Sequence, residues 1–257
     1  MLAELRKVFE LGYRWVFFVD DNFMVPTKKG LEIKLELLRK IREIYGGAMR
    51  FIVQLRADFV ARNGWVAKEL ADSGVRVAFL GLESGDPEIL KRMRKGDSPD
   101  VGTAAVEALS NAGIIVHAGF ILGAPYEDST SLRRTVRYAY GLIDRGLDSV
   151  QFSIYTPLPG TDAFTRALSS GSLLTLDFDM YDTLTPVMRT RVSALGLFIR
   201  QRLANYHFYL RKGVKYLLGW ARRSGGPKDI LLRNATKFVL RNLHKYLWGY
   251  LTIPFNG

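Results

Sequence analysis

Five apolar runs recur along the chain at intervals of roughly 30 residues, with helical periodicity between them, and this alternation admits few folds. The runs are Trp15–Val19, Phe51–Leu55, Val75–Leu82, Ile114–Leu122 and Ser149–Tyr155. Trp15–Val19 is apolar at every position, the pattern of a strand covered on both faces in a parallel sheet. Helices are expected over Leu2–Leu11, over Leu31–Tyr45 before Gly46-Gly47, over Trp65–Ala71 before Gly74, and over Leu132–Ile143 before Gly146. Asp86-Pro87 and Ser98-Pro99 read as helix starts, each with a capping side chain and a proline in the first turn. The second of these helices ends at Gly113. Parallel strands alternating with helices give an α/β fold, either a doubly wound sheet or most of a (β/α) barrel. No G-x-G-x-x-G follows any run, which counts against a dinucleotide-binding sheet.

The chain contains no cysteine. Disulfides, zinc–thiolate sites and a cysteine nucleophile are therefore excluded, and the chain cannot by itself hold a cysteine-ligated iron–sulfur cluster. Hydrophobic residues make up 48% of the 257 positions, enough for a packed core and too many for a disordered chain. No apolar run reaches the length of about eighteen residues that a membrane span needs. The opening residues MLAELRKVFE carry acids and no separate apolar segment, so they do not read as a secretory signal. The expected location is the cytoplasm, free or membrane-peripheral.

The net charge of +12 sits at one end. From Val187 onward there are fourteen Lys and Arg against one acid, Asp229, which leaves the first 186 residues close to neutral. Three segments are expected: a strand–helix body over 1–165, a connection over 166–186, and a basic amphipathic helical region over 187–257. The last divides into Val187–Arg223 and Asp229–Leu251, joined by Ser224-Gly225-Gly226-Pro227. In the second stretch Leu231, Ala235, Phe238, Val239, Leu243, Leu247 and Leu251 recur at helical steps, with Arg233, Lys237, Arg241 and Lys245 on much of the other face. Such a region packs over the body, lies on an anionic membrane surface through Trp220, Trp248 and Tyr250, or binds RNA; no RNA-binding module is legible.

Ligand sites in parallel α/β folds form at the C-terminal ends of the strands. Those ends carry Asp20-Asp21-Asn22, then Gln54, Arg56 and Asp58, then Gly81, Glu83 and Ser84, then Gly119, Ile121 and Gly123, and finally Tyr155-Thr156-Pro157. Each has a plainer reading. Asp20-Asp21 can cap a loop, Glu83-Ser84 can enter a helix, and His117 can be a strand-face histidine. Their order along one end of a sheet is what gives them weight.

The segments FFVDDNF, RADF, GLESGDPEILKRMRKG, AGFILGAPYED and YTPLPGTDAF, in this order over residues 1–185, resemble the radical S-adenosylmethionine superfamily. The likeness is greatest to its cobalamin-associated branch, which includes anaerobic magnesium-protoporphyrin cyclases and hopanoid methylases. The resemblance implies a partial six-stranded (β/α) barrel whose first strand ends in a C-x-x-x-C-x-x-C loop holding a 4Fe–4S cluster. This chain opens in what corresponds to the helix after that strand. Its five strands then stand for family strands two to six, the edge at Trp15–Val19 is left open, and the cluster cysteines fall on an upstream segment or protein.

By position, the resemblance assigns Asp20, Asp21 and Asn22 to the methionine end of S-adenosylmethionine. Glu83 and Ser84 go to its ribose, and Gly119, Ile121, Gly123 and Tyr155 to its adenine. Arg56 is assigned to a carboxylate or substrate. It further implies a one-electron cleavage to a 5′-deoxyadenosyl radical, cobalamin in some branch members, an electron donor such as a ferredoxin or flavodoxin, and a hydrophobic lipid- or tetrapyrrole-like substrate. Two other functions remain open on the residues alone. The chain could be a truncated or split barrel that only binds a ligand or partner, or an ordinary (β/α) enzyme using Asp20, Asp21 and Glu83 as acid–base or metal groups.

Overall fold

The computed structural model describes residues 1–24, 27–93, 95 and 98–218. The elements in chain order are α1 (Leu2–Glu10), β1 (Trp15–Phe17), α2 (Lys28–Tyr45), β2 (Arg50–Leu55), α3 (Ala57–Arg62), α4 (Val66–Asp72), β3 (Val75–Glu83), α5 (Pro87–Arg92), α6 (Pro99–Asn111), β4 (Ile115–Leu122), α7 (Ser129–Gly141), β5 (Ser149–Ile154), α8 (Asp162–Ser169) and α9 (Ala194–Leu218). The chain divides into two compact units, Met1–Lys212 and Gly213–Gly257. Of the second, the described residues are the end of α9.

The five strands pair in parallel in the order β1-β2-β3-β4-β5 and curl into a half-barrel. Strand periodicity sorts the side chains. Val53 and Leu55, Ala78 and Leu80, Val116, Ala118, Phe120 and Leu122, and Val150, Phe152 and Ile154 are buried on the outer face beneath the helices. Full burial of each large side chain contributes about 1.5–3 kcal/mol. A slip of one residue in any strand would turn its whole row away from the helices, so the register is strongly held. The other parity is only part-covered and forms the inner face.

Local signals place the helices. Thr27 caps α2 by accepting from the Gly30 amide, and Gly46, in the left-handed region, closes it. Asp86 accepts from the Glu88 amide with Pro87 in the first turn of α5, and Asp128 forms a capping box with Ser131 on α7. The short α3 was outside expectation. Six residues carry too little periodicity to register, yet Ala57, Phe59 and Val60 are buried.

The free edge of β5 is closed by side chains of α9. Gln201 donates to the Phe152 carbonyl at 2.7 Å, and the Tyr209 hydroxyl donates to the Val150 carbonyl at 2.7 Å while accepting from the Val150 amide at 3.2 Å. Asn205 accepts from the Phe152 amide at 3.5 Å, and the Ile154 amide donates to the Thr183 carbonyl at 2.6 Å. Lys212 adds an ion pair to Asp148 at 3.1 Å, and Asp148 itself accepts from the Val116 amide. The helix thus supplies the hydrogen bonds that a sixth strand would otherwise make.

Two expectations are corrected. The Trp15–Val19 run yields a strand of only three residues, and Trp15, Phe17 and Val19 are 39%, 46% and 75% exposed, because β1 lies at the sheet edge with its inner side open. The helix expected from Val187 begins at Ala194. Residues 187–193 are non-helical, since Met188 bridges Leu173 in antiparallel fashion and Val187 is fully buried there. Asp229–Leu251, with Trp220, Trp248 and Tyr250, lies outside the described residues.

Tyr209→Phe should lower stability by about 1–3 kcal/mol, the cost of leaving the Val150 amide and carbonyl without their partner. Urea unfolding of the two proteins at equal pH measures it.

Candidate functional site

The inner face reads in rows across the sheet. The row nearest the strand starts is aliphatic, with Ile52, Val77 and Ile115 in register. Above it lie Gln54, Phe79, His117 and Ser149, and above that Gly81, Gly119 and Gln151. The rim carries Glu83, Ile121 and Ser153. A greasy floor therefore rises to a polar mouth with two adjacent glycines just beneath it.

The middle row is built on ring contacts. Phe17 and Phe79 stack with centroids 5.8 Å apart, and Phe79 lies 4.6 Å from the His117 ring. His117 Nδ1 shares a hydrogen bond with the Ser149 hydroxyl at 2.9 Å. Burial pushes the imidazole pKa down to about 4, so this floor is uncharged near neutral pH.

Glu83 occupies the strained point of the site. A register shift at the Gly81/Glu83 step ends β3, and Glu83 has φ of 61°, a left-handed conformation that costs a non-glycine residue about 1–2 kcal/mol. Its carboxylate folds back over Gly81, where an added Cβ would stand 2.6 Å from Oε1. Gly81 is thus the residue that lets the carboxylate lie at the mouth. Lys95 pairs with it at 2.8 Å and orients it.

The neighbouring Ser84 faces elsewhere. It is fully buried, its hydroxyl shares a hydrogen bond with Thr135 at 2.9 Å, and it accepts from the Asp86 amide. Its hydroxyl, expected at a ribose, is held by these bonds in the turn into α5. Arg56, expected at a carboxylate or substrate, lies in the turn after β2. Its guanidinium forms a two-point pair with Asp58 at 2.9 and 3.1 Å, so the carboxylate it meets is in the adjacent turn. The Arg56 hydrogen bond is the main cause holding the Asp58 carboxyl below its usual range.

Asp20, Asp21 and Asn22 form the loop after β1, tied to β2 by the Phe23 amide on the Gln54 carbonyl at 2.8 Å. Both aspartates are exposed, and Lys34 approaches Asp20 at 3.9 Å. Asn22 Oδ1 is buried and has no hydrogen-bond partner among the described residues. Phe23 and Met24, both fully buried, anchor the loop. Gly119 and Ile121 lie on the inner face, and Tyr155 follows β5 with its amide on the Leu122 carbonyl at 2.8 Å. Gly123, at φ of 83°, leaves the face: an added Cβ would stand 2.3 Å from Leu197 of α9, so its want of a side chain serves helix packing.

Sequence reasoning missed Glu127. It is fully buried, and its Oε2 accepts from the Gly123 amide at 2.6 Å and the Ala124 amide at 3.2 Å, fixing the loop that leaves β4. Burial, against these two hydrogen bonds, raises its pKa to about 7. The available signal was an acid placed four residues after a strand-ending glycine. Among the described residues no three His, Cys, Asp or Glu side chains converge as a metal site.

Residues 1–139, from α1 into α7, match the family model described as Radical SAM superfamily. The chain belongs to the radical SAM superfamily. Among curated relatives of this radical SAM chain, an uncharacterised methyltransferase of Pyrococcus horikoshii is 30% identical over 80% of the chain and 43% of its own length. The hopanoid C-3 methylase of Methylococcus capsulatus is 27% identical over 96% of the chain and 44% of its length. The anaerobic magnesium-protoporphyrin IX monomethyl ester cyclase of Rubrivivax gelatinosus is 24% identical over 79% and 38%. The radical SAM chain thus spans less than half the length of these relatives.

Of solved structures, the radical S-adenosylmethionine methyltransferase TsrM of Kitasatospora setae, with cobalamin and a [4Fe-4S] cluster bound, superposes with a TM-score of 0.57 at 17% identity, covering 66% of this chain and 33% of TsrM. The cobalamin-dependent enzyme OxsB with aqua-cobalamin bound gives 0.50 at 20%, covering 57% and 22%. Both share the fold. The superfamily implies S-adenosylmethionine and a 4Fe–4S cluster as cofactors. This chain supplies no thiolate for the latter.

The raised pKa of Glu127 gives a pH test. A carboxyl whose folded value exceeds its ordinary 4.5 stabilises the fold fully below pH 4.5, and that contribution is lost as pH rises through about 7. Glu127→Gln, fixed in the neutral form, should therefore gain Tm relative to the parent between pH 5 and pH 8. His117 titrates equally in both proteins and cancels from the difference.

Proposed function

We propose that this chain is the S-adenosylmethionine-binding portion of a radical SAM enzyme that acts, together with cobalamin, on a hydrophobic lipid- or tetrapyrrole-like substrate. The observation that carries the reading is the Glu83 carboxylate, held in a strained conformation over Gly81 at the mouth, with Gly119 beside Gly81 in register. Strain of this kind persists where a site uses it. A carboxylate accepts from both hydroxyls of a ribose, and adjacent glycines admit a flat ring close to the backbone. Asp20, Asp21 and Asn22 then take the methionine ammonium and carboxylate, with the buried Asn22 Oδ1 as an acceptor awaiting a donor. Ile121 and the Tyr155 backbone take the adenine.

The substrate class is supported by the relatives, a hopanoid methylase and a magnesium-protoporphyrin cyclase, and by the apolar floor of Ile52, Val77, Phe79 and Phe17. Cobalamin is supported by the TsrM and OxsB likeness. The cluster does not fit the residues of this chain. Its thiolates come from a further segment or protein, whose place is beside the open edge of β1, and the electron from a cytoplasmic ferredoxin or flavodoxin. The want of cysteine also favours a second reading, in which the chain binds S-adenosylmethionine or a partner and generates no radical.

Calorimetric titration of S-adenosylmethionine into the protein and its Glu83→Ala variant tests the site. Removing a hydrogen-bonding charged group worth roughly 1.5–3 kcal/mol should weaken binding about tenfold to a hundredfold. Identical titrations would remove Glu83 from the site. Anaerobic reconstitution with iron and sulfide separates the two readings. The chain alone should bind no cluster, and radical formation should follow only when the cysteine-bearing segment is joined to it.

A further inference from the structure

The described part of α9 carries a second apolar face that nothing in the first compact unit covers. At 100° per residue, Leu195, Ile199, Leu203, Tyr206 and Leu210 fall within an arc of about 80°. They are 61%, 45%, 47%, 57% and 51% exposed. Leu197, Gln201, Ala204 and Phe208, which face β5, lie on the opposite side and are buried. The exposed stripe runs about 22 Å along the helix.

The charges around the stripe state what it fits. The sequence of α9 contains no acid. Arg200 and Arg211 flank the stripe on one side and Arg202 on the other, with Arg202 resting over Phe198 and Arg211 over Tyr140. A second copy of this helix, or a protein helix of similar make-up, would bring these cations together with no carboxylate between them. An anionic lipid surface satisfies both features, taking the leucines below the headgroups and the arginines among the phosphates. Tyr206, with an apolar ring and a polar tip, suits that boundary.

We propose that the Leu195–Leu210 face of α9 docks reversibly on an anionic membrane surface, with Leu195, Ile199, Leu203 and Leu210 inserted and Arg200, Arg202 and Arg211 at the headgroups. The proposal stands apart from the S-adenosylmethionine site, which lies at the strand ends. It describes lateral attachment and requires no membrane-spanning segment; among the described residues no helix is long and apolar enough to cross a membrane.

Co-sedimentation of the full chain with vesicles of phosphatidylcholine, with and without phosphatidylglycerol, tests it. Binding is expected to the phosphatidylglycerol vesicles at low salt, to weaken at high salt, and to be slight on phosphatidylcholine alone. The double variant Ile199→Gln and Leu203→Gln should weaken binding about tenfold or more, and Arg200→Gln about fivefold. All of these positions are exposed, and circular dichroism with thermal melting verifies that each variant is folded. Unchanged binding by the folded double variant would assign the membrane contact to another part of the chain and overturn the proposal, as would no binding to anionic vesicles. A parent protein that sediments as a dimer, with the double variant monomeric, would make the stripe an interface between copies and equally overturn it.

Discussion

The half-barrel depends on how its last strand is closed. A parallel sheet leaves amide and carbonyl groups bare at each edge, and such groups are costly when buried without partners. At β5 the accounting is complete: Gln201, Asn205 and Tyr209, one helical turn apart, serve the groups of Val150 and Phe152, and Thr183 serves Ile154. The same helix lays Leu197 against Gly123 and Phe208 into the core. Closing the edge and seating the loop after β4 are therefore one event. At β1 no described residue plays that part, and the exposed Trp15 and Phe17 flank the only sheet edge left open among the described residues. Growth of the sheet is possible on one side alone.

That asymmetry directs the site. With β5 sealed, the inner face opens toward β1, and the aromatic contacts Phe17–Phe79–His117 run from the open edge to the middle of the sheet. The groups with binding capacity, Asp20 to Asn22 and Glu83, lie at the strand ends on the same side of β4 as that opening. A segment added beside β1 would meet them directly, whereas one added beside β5 would meet α9.

The strands and the ordering of the polar loops were legible because both rest on local pattern. Apolar runs bounded by Gly, Asp and Pro mark Phe51–Leu55, Val75–Leu82 and Ile114–Leu122 to within a residue or two of the observed elements. What could not be read was direction. Glu83 and Ser84 are adjacent and equally polar, yet one faces the mouth and the other bonds Thr135, because a register shift and a positive φ intervene. Arg56 is taken by Asp58 two residues on, a pairing that depends on the unexpected α3 turn. Nor could local pattern show that Leu197, more than seventy residues later, lies against Gly123. The acid-free α9 gave a visible charge pattern, but only the structure shows which of its two apolar faces meets the sheet.

Two titratable groups with displaced pKa values lie in and just after β4: the part-buried His117 on the inner face and the fully buried Glu127 in the loop that leaves the strand. Burial lowers the His117 pKa to about 4 and raises that of Glu127 to about 7. Near neutral pH His117 therefore places no charge beneath the mouth. The charges that remain are at the rim, where Asp20 and Glu83 are each approached by one lysine and Asp21 is exposed. A carboxylate at the rim above an uncharged aromatic row gives the face a gradient from apolar to anionic. A cationic ligand with a flat apolar end gains twice from such a gradient: its charge meets the rim, and its ring meets glycine backbone. Moving the charge to the floor, as protonation of His117 would, sets a cation against it and reverses the gain. The lowered pKa of a histidine that sequence alone places as an ordinary strand residue thus keeps this row of the inner face uncharged near neutral pH.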